Sequence, residues 1–202
     1  MYIIYRPTNT TTRLLIASND NDSKRNNVNT NLNYRYAVTG GTELNIDVDY
    51  GIFRLRSNQF QPNDYFDASG NTKLFSNVYR MISPTDINIF SAKTDYERNF
   101  YKGRLGFGAR VGFVKTDNDF KRYDVYGNTE VYDKDKSNRF NYTENINAVY
   151  VNYNRAFKGF MFQVGVRVEN TVSDGNSTGL KYNTNTSAYE NYDSSIHRNY
   201  TD

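Results

Sequence analysis

Alternation of apolar and polar residues with a period of two dominates the chain. Every second residue is apolar in Thr42–Ile52, Arg104–Val114 and Phe160–Glu169. Side chains of a β-strand point alternately to the two faces of a sheet, so each segment predicts a strand with one apolar and one polar face. Weaker alternation predicts four further strands. They are Val28–Tyr36, Leu74–Ile82, Ile87–Arg98 and Asn145–Arg155.

The phase of the alternation changes after residue 52. Up to that point the even-numbered residues are apolar, but Phe53 and Leu55 then take the apolar positions. Arg54 and Arg56 take the polar ones. A β-bulge adds one residue to a strand and turns the following side chains to the other face. We therefore predict a bulge near Gly51.

The segments between the predicted strands alternate between short and long. The short ones are residues 37–41, 99–103 and 156–159. The long ones, which are polar, are residues 57–72, 116–142 and 173–195. Transmembrane β-barrels join their strands by short turns on the periplasmic side and by long loops outside. The pattern therefore predicts such a barrel, with aromatic residues beside the short turns as its interfacial girdle.

Composition supports strands with one wet face. The 202 residues include 19 Tyr and 13 Phe, although only 37% are hydrophobic and the mean hydropathy is −0.82. Disordered chains are polar but poor in aromatic residues, which distinguishes them from this chain. The net charge of +3 is spread along the sequence, so we expect no nucleic-acid partner. There is no cysteine, which excludes disulfides and thiolate metal sites.

These patterns predict an all-β fold, an antiparallel up-and-down meander of long hairpins that forms an arc of a transmembrane β-barrel. We expect six or seven strands, fewer than the eight of the smallest closed barrels of this kind. Residues 26–202 form the predicted barrel segment, and residues 1–25 are a loop or the end of a preceding strand. A barrel needs an export signal, and the start of this sequence has neither a basic segment nor a long apolar core. We therefore expect the chain to be an internal piece or a trimmed form of a longer protein.

The polar faces of the predicted strands carry charges that a lipid-facing surface would not tolerate. We expect these side chains to line a wet lumen. They are Asp47, Asp49, Arg110, Arg167 and Glu169.

One segment has the spacing of a calcium-binding loop. Asp133, Asp135, Ser137 and Glu144 occupy positions 1, 3, 5 and 12 of that pattern, and oxygen ligands at these positions can surround a hard cation. Position 6 is Asn138 rather than glycine, and Asp and Asn are also common in ordinary solvated turns. We therefore expect no required cofactor, with calcium as the one candidate.

Tyrosines in the predicted long loops are candidates for ligand contact. Tyr65, Tyr123, Tyr126 and Tyr132 each combine an apolar ring with a polar tip, which suits sugars and protein surfaces. Their alternative role is an upper aromatic girdle. No catalytic arrangement is found, since His197 is the only histidine and lies outside any nucleophile motif. We expect the protein not to be an enzyme.

Three phrases resemble a known family. Residues 116–120 read TDNDF, residues 140–150 read FNYTENINAVY, and residues 162–171 read FQVGVRVENT. They are similar to the barrel segment of the outer-membrane β-barrel family related to TonB-dependent receptors. The resemblance implies a barrel of about twenty strands, normally preceded by a signal, a carboxypeptidase-regulatory-like module and a plug domain.

The resemblance implies a function and partners. We expect a wall segment of a transporter for a bulky nutrient in the outer membrane of a Gram-negative bacterium. Its partners would be outer-membrane lipid, a TonB-type energy-coupling system, and a surface lipoprotein or a glycan or siderophore ligand. Two alternatives remain open: an outer-membrane scaffold or adhesin without transport, and a soluble Tyr-rich β-sandwich that binds ligands.

Overall fold

A computed structural model describes residues 2–5 and 11–202, and the architecture within them is entirely β. None of the described residues forms a helix long and apolar enough to cross a membrane. Nine strands are present in this part of the chain. They are β1 Tyr2–Tyr5, β2 Thr11–Ala17, β3 Asp20–Val38, β4 Thr42–Phe66, β5 Lys73–Phe100, β6 Gly103–Tyr126, β7 Thr129–Phe157, β8 Phe160–Asn183 and β9 Ala188–Thr201.

All strands belong to one antiparallel sheet in which neighbours in sequence are mostly neighbours in space. The order is β1-β2-β4-β5-β6-β7-β8-β9, and β3 pairs with the same edge of β4 that β2 uses. The Ser18 amide donates to the Pro62 carbonyl between them at 3.1 Å, so β2 and β3 follow each other along β4. The described part of the sheet is open, since β9 pairs only with β8 there. The predicted antiparallel meander is confirmed, with more strands than the six or seven expected.

The predicted short turns are confirmed. Residues 39–41, 101–102 and 158–159 join strand pairs at one end of the sheet. Tyr101 and Lys102 have φ values of 45° and 61°, as a two-residue type I′ turn requires. Such a turn matches the right-handed twist of the strands that it connects.

The predicted long loops are wrong. The polar segments 57–72, 116–142 and 173–195 mostly continue the strands, which reach 24 to 29 residues in β4–β8. The connections at this end are residues 67–72, 127–128 and 184–187. The predicted boundary between residues 25 and 26 falls inside β3. The molecule is therefore a sheet of very long hairpins, which project at one end.

The predicted bulge near Gly51 is also wrong. The pairing of β4 with β3 and with β5 runs through Gly51 without a shift. The change of phase after residue 52 is therefore a change of chemistry on a regular strand. A register shift occurs instead between Phe120 and Arg122 of β6, opposite residues 134–137 of β7.

The register assigns every side chain of β3–β8 to one of two faces. We call the face that carries Val48, Val111 and Val164 the outer face, and the opposite one the inner face. On each of these strands the outer face has a mainly apolar run of 9–11 residues, the length that crosses a bilayer. We call it the apolar run. It covers Val28–Val38, Leu44–Ile52, Phe90–Phe100, Leu105–Phe113, Val149–Phe157 and Phe160–Val168.

The end of the apolar run crosses the sheet obliquely. The last residue of the run is Ile52 on β4 and Val168 on β8. The register aligns Val168, through Val149 of β7, with Ile46 of β4. The edge thus shifts by about 20 Å along the strands over about 19 Å of sheet width. That slope is close to the strand tilt of about 35–45° in transmembrane barrels.

The sheet does not enclose an apolar core. Ala148, 4% exposed, is the single buried hydrophobic residue in the described part of the chain. Val166 on the outer face and Leu32 near the edge remain 63% and 69% exposed. No second sheet covers them among the described residues. The alternative of a soluble Tyr-rich β-sandwich is therefore wrong.

Candidate functional site

The inner face carries the charges predicted to line a lumen. Asp47 and Asp49 lie on it in β4, Arg110 in β6, and Arg167 and Glu169 in β8. They share a face but lie on three separate strands, so they form a polar wall rather than a single pocket. The first four are level with the apolar run of the outer face, and Glu169 lies one residue beyond its end on β8.

Hydrogen bonds satisfy much of this polar wall. Asn31 donates to Asp49 at 2.7 Å, and Ser91 donates to the same carboxylate at 3.1 Å. Asn33 donates to Asp47 at 2.5 Å, and Arg167 forms an ion pair with Glu169. Arg110, in contrast, is exposed and makes no ion pair with the described residues. Exposed and partly unpaired charges of this kind suit a water-filled space.

A second inner-face group was not predicted. The Tyr150 ring lies across Gly108 of β6, and its hydroxyl donates to Asp95 of β5. Lys93 pairs with the same carboxylate at 2.7 Å. The signal in the sequence is the set of glycines on the inner face of β6, since Gly106 and Gly108 leave room for Asn152 and Tyr150 of β7.

Beyond the apolar run the inner face becomes apolar. The apolar side chains there are Phe53 and Leu55 of β4 and Ile87 and Ile89 of β5. Nearer the short turns the same inner face carries charges instead. A groove of about 360 Å³ is lined by Arg25, Phe53, Leu55 and Ile87, among others. The inner face of the projecting hairpins is therefore partly apolar, and the Arg25 cation lies beside this apolar part.

The outer face changes in the opposite sense. Arg56 pairs with Asp86 at 2.6 Å, and Arg139 pairs with Asp117 at 2.5 Å. The hydrogen bonds from Arg139 hold the pKa of the Asp117 carboxyl below its usual range. This part of the outer face therefore suits water, whereas the apolar run suits lipid.

The predicted calcium ligands are not brought together. Asp133 accepts from the backbone and the ammonium group of Lys136, at 3.1 and 2.9 Å, and Asp135 accepts from the Tyr182 amide. Ser137 is buried and donates to the Asp133 carbonyl at 2.6 Å. Glu144 lies on the regular part of β7, beyond the register shift. Among the described residues no three acidic or histidine side chains converge as a metal site would require.

The tyrosines predicted to lie in loops are in strands. Tyr65 stacks on Phe75 across β4 and β5, with ring centroids 4.4 Å apart. Tyr123 and Tyr132 are partners across β6 and β7, with centroids 5.4 Å apart. Tyr126 ends β6 and is 67% exposed. The aromatic residues of this end therefore lie on paired strands rather than in loops.

Aromatic side chains also surround the short turns. Phe157 and Phe160 stack with centroids 4.8 Å apart, and Phe100 meets Tyr101 edge to face at 4.6 Å. Arg155, on the outer face near the short turn at residues 158–159, lies over the Phe157 ring. Such aromatic and arginine side chains suit a membrane interface, where one part of the side chain is apolar and the other wet.

One of two comparisons with known proteins found a match, and it agrees with this geometry. No curated protein matches the chain. The profile of a family described as outer membrane protein beta-barrel matches residues 37–201, about four fifths of the chain. The match includes the apolar run from β4 to β8 and the polar wall behind it. The chain therefore belongs to the outer membrane protein beta-barrel family.

Proposed function

We propose that this chain is a wall segment of a TonB-dependent-receptor-like transporter that takes up a bulky nutrient across the outer membrane of a Gram-negative bacterium. The observation that carries the proposal is the charged inner face behind the apolar run, on a sheet whose described strands do not close. A polar interior of this kind requires a barrel wide enough for water and solute. Further strands would complete the wall.

The resemblance of residues 140–150 and 162–171 to the TonB-related barrels supports an energised transporter rather than a passive pore. A TonB-type system in the inner membrane would supply the energy through other parts of the protein. The solute would be a glycan or a siderophore, with a surface lipoprotein as a further partner. The reaction is transport alone, without a catalytic residue or a cofactor.

Uptake in cells tests this proposal. Cells with and without the full-length gene are given a labelled ferric siderophore or a labelled oligosaccharide, with and without an uncoupler. We expect accumulation of one of them to require both the gene and the proton-motive force. An Arg110→Ala, Arg167→Ala variant should change that uptake, whereas Arg139→Ala on the outer face should not. Accumulation of neither solute, or accumulation that ignores the uncoupler, would contradict the proposal.

A second candidate is an outer-membrane scaffold or adhesin. The observation in its favour is the length of the hairpins, since β5 continues for 17 residues beyond its apolar run and displays aromatic side chains there. This alternative predicts that a cell-surface partner binds equally well with and without the uncoupler. It also predicts that neither solute accumulates inside the cell.

A further inference from the structure

One row of outer-face side chains follows directly after the apolar run. On each of β3–β8 it is the residue two positions beyond the last apolar one, on the side of the projecting hairpins. We call these six residues the collar. They are Asn26, Arg54, Asn88, Lys115, Asn147 and Asn170. The collar consists of four amides and two cations, and it contains no carboxylate.

The collar lies at the depth of lipid head groups. Two residues extend about 7 Å along a strand, which is about 5 Å along the membrane normal for a strand tilted by about 45°. The head-group layer of each leaflet is about 5–7 Å thick. The projecting end corresponds to the extracellular loops of other barrels, so the leaflet concerned is the outer one.

The residue types of the collar match a phosphorylated sugar. Guanidinium and ammonium groups bind phosphate oxygens through charge-assisted hydrogen bonds. Asparagine amides both donate and accept, as sugar hydroxyls do. Arg54 donates to the Asn88 side chain at 3.1 Å, so one cation and one amide are already held together.

A groove connects the collar to the apolar run. It has a volume of about 390 Å³ and lies between β4 and β8. Phe90 and Phe113 form part of its lining, and Asn88 and Lys115 follow them toward the projecting end. Lys115 is exposed and makes no ion pair with the described residues. Asp174 of β8 also lines the groove at the level of Lys115, but its carboxylate is paired with His197 at 2.6 Å. The groove therefore offers apolar surface to an acyl chain and an unpaired lysine to the group above it.

The next outer-face position contains more cations on β3 and β4. Lys24 and Arg56 lie directly opposite each other in the register, and like charges in that position are destabilising. Arg54 and Arg56 share one carboxylate, that of Asp86, at 3.5 and 2.6 Å. An additional anion would relieve the repulsion among these three cations. Asp117 lies at the corresponding position of β6 but is paired with Arg139.

We propose that the collar binds the phosphorylated sugar head group of an outer-leaflet glycolipid whose acyl chains lie on the apolar run. Arg54 and Lys115 would hold phosphate, Asn88 would hold sugar hydroxyls, and Lys24 with Arg56 would hold a second anionic group. The interaction seats the barrel at a defined depth and tilt in the outer leaflet. It does not depend on transport.

Lipid binding by the purified full-length protein tests the proposal. Variants are reconstituted in nanodiscs, and the affinities for lipid A and for phosphatidylglycerol are compared by native mass spectrometry. Arg54→Gln with Lys115→Gln should weaken lipid A binding by about tenfold or more, because each variant removes a charge-assisted hydrogen bond. The matched control is Lys121→Gln with Arg80→Gln, which removes the same charges from the outer face of β6 and β5 above the head-group layer.

Asn88→Ala separates the sugar from the phosphate. It should weaken binding of lipid A but leave that of phosphatidylglycerol unchanged. Arg54→Lys with Lys115→Arg should retain lipid A, and Lys115→Gln alone repeats the test if the double variant does not insert. Equal lipid A binding by the collar variant and the native protein would overturn the proposal. So would equal losses in the control, or equal affinity for the two lipids.

Discussion

At the scale of single residues, glycines decide how the polar wall is built. Gly108 has no side chain, so the Tyr150 ring crosses β6 and reaches Asp95 on β5. Gly112 lies on the same face of the same strand, but no large side chain covers it in this way. Gly108 therefore makes room for the Tyr150 ring, whereas Gly112 does not make room for a large side chain. Substitutions at the two positions can test this difference.

Gly108→Ala should destabilise the barrel by about 1–3 kcal/mol, the usual cost of an added group in a closely packed place. The methyl group would occupy the position of the Tyr150 ring and displace its hydroxyl from Asp95. At Gly112 an added Cβ would be 3.9 Å from the Ile146 Cβ, which is ordinary contact. Gly112→Ala should therefore change stability by less than about 1 kcal/mol. Guanidinium unfolding in lipid vesicles measures both, and equal losses would contradict this role for Tyr150.

At the scale of strands, the alternation predicted where the strands lie and which face is apolar, because a side-chain period of two is a local property. It did not predict that the faces exchange character along one strand. Phe53 and Leu55 are apolar on the inner face, and Arg54 and Arg56 are polar on the outer face, on a strand without a bulge. The exchange marks the level where the outer face passes from lipid into water, and periodicity alone carries no information about solvent.

The assignment of faces makes a direct prediction. Val48→Arg, Val111→Arg and Val164→Arg should each impair insertion, by about 2–4 kcal/mol if the site lies near the middle of the bilayer. Arg110→Ala should be tolerated, since Arg110 lies next to Val111 but on the inner face. Folding into lipid vesicles, followed by the shift in gel mobility of the unheated protein, reports insertion. Similar folded fractions for all four variants would refute the assignment.

At the scale of the whole molecule, the projecting hairpins distinguish this sheet from a minimal barrel. Their strands are polar on the outer face and mixed on the inner face, so their sequence resembles that of long loops. Cross-strand pairs such as Arg139 with Asp117 and Tyr65 with Phe75 stabilise them, and these pairs depend on a register that the sequence does not reveal. The same limit explains the calcium prediction, since the spacing of Asp133 and Glu144 assumed a compact loop.

The position of the membrane relative to the hairpins can be measured because the chain contains no cysteine. Val48→Cys and Asn58→Cys lie on the same face of β4, ten residues apart, within and beyond the apolar run. A bulky, membrane-impermeant maleimide added to intact cells should modify Asn58→Cys, because that position is in water outside the cell. Val48→Cys should stay unmodified, because lipid covers it. Lys158→Cys, in a short turn, should react only after the outer membrane is permeabilised.

Each other result identifies a specific error. Reaction at Lys158→Cys but not at Asn58→Cys in intact cells would reverse the orientation, and the collar would then face the inner leaflet. Equal reaction at Val48→Cys and Asn58→Cys would mean that the apolar run does not mark the membrane. The expected pattern would place the end of the bilayer between these two residues of β4, which is where Arg54 of the collar lies.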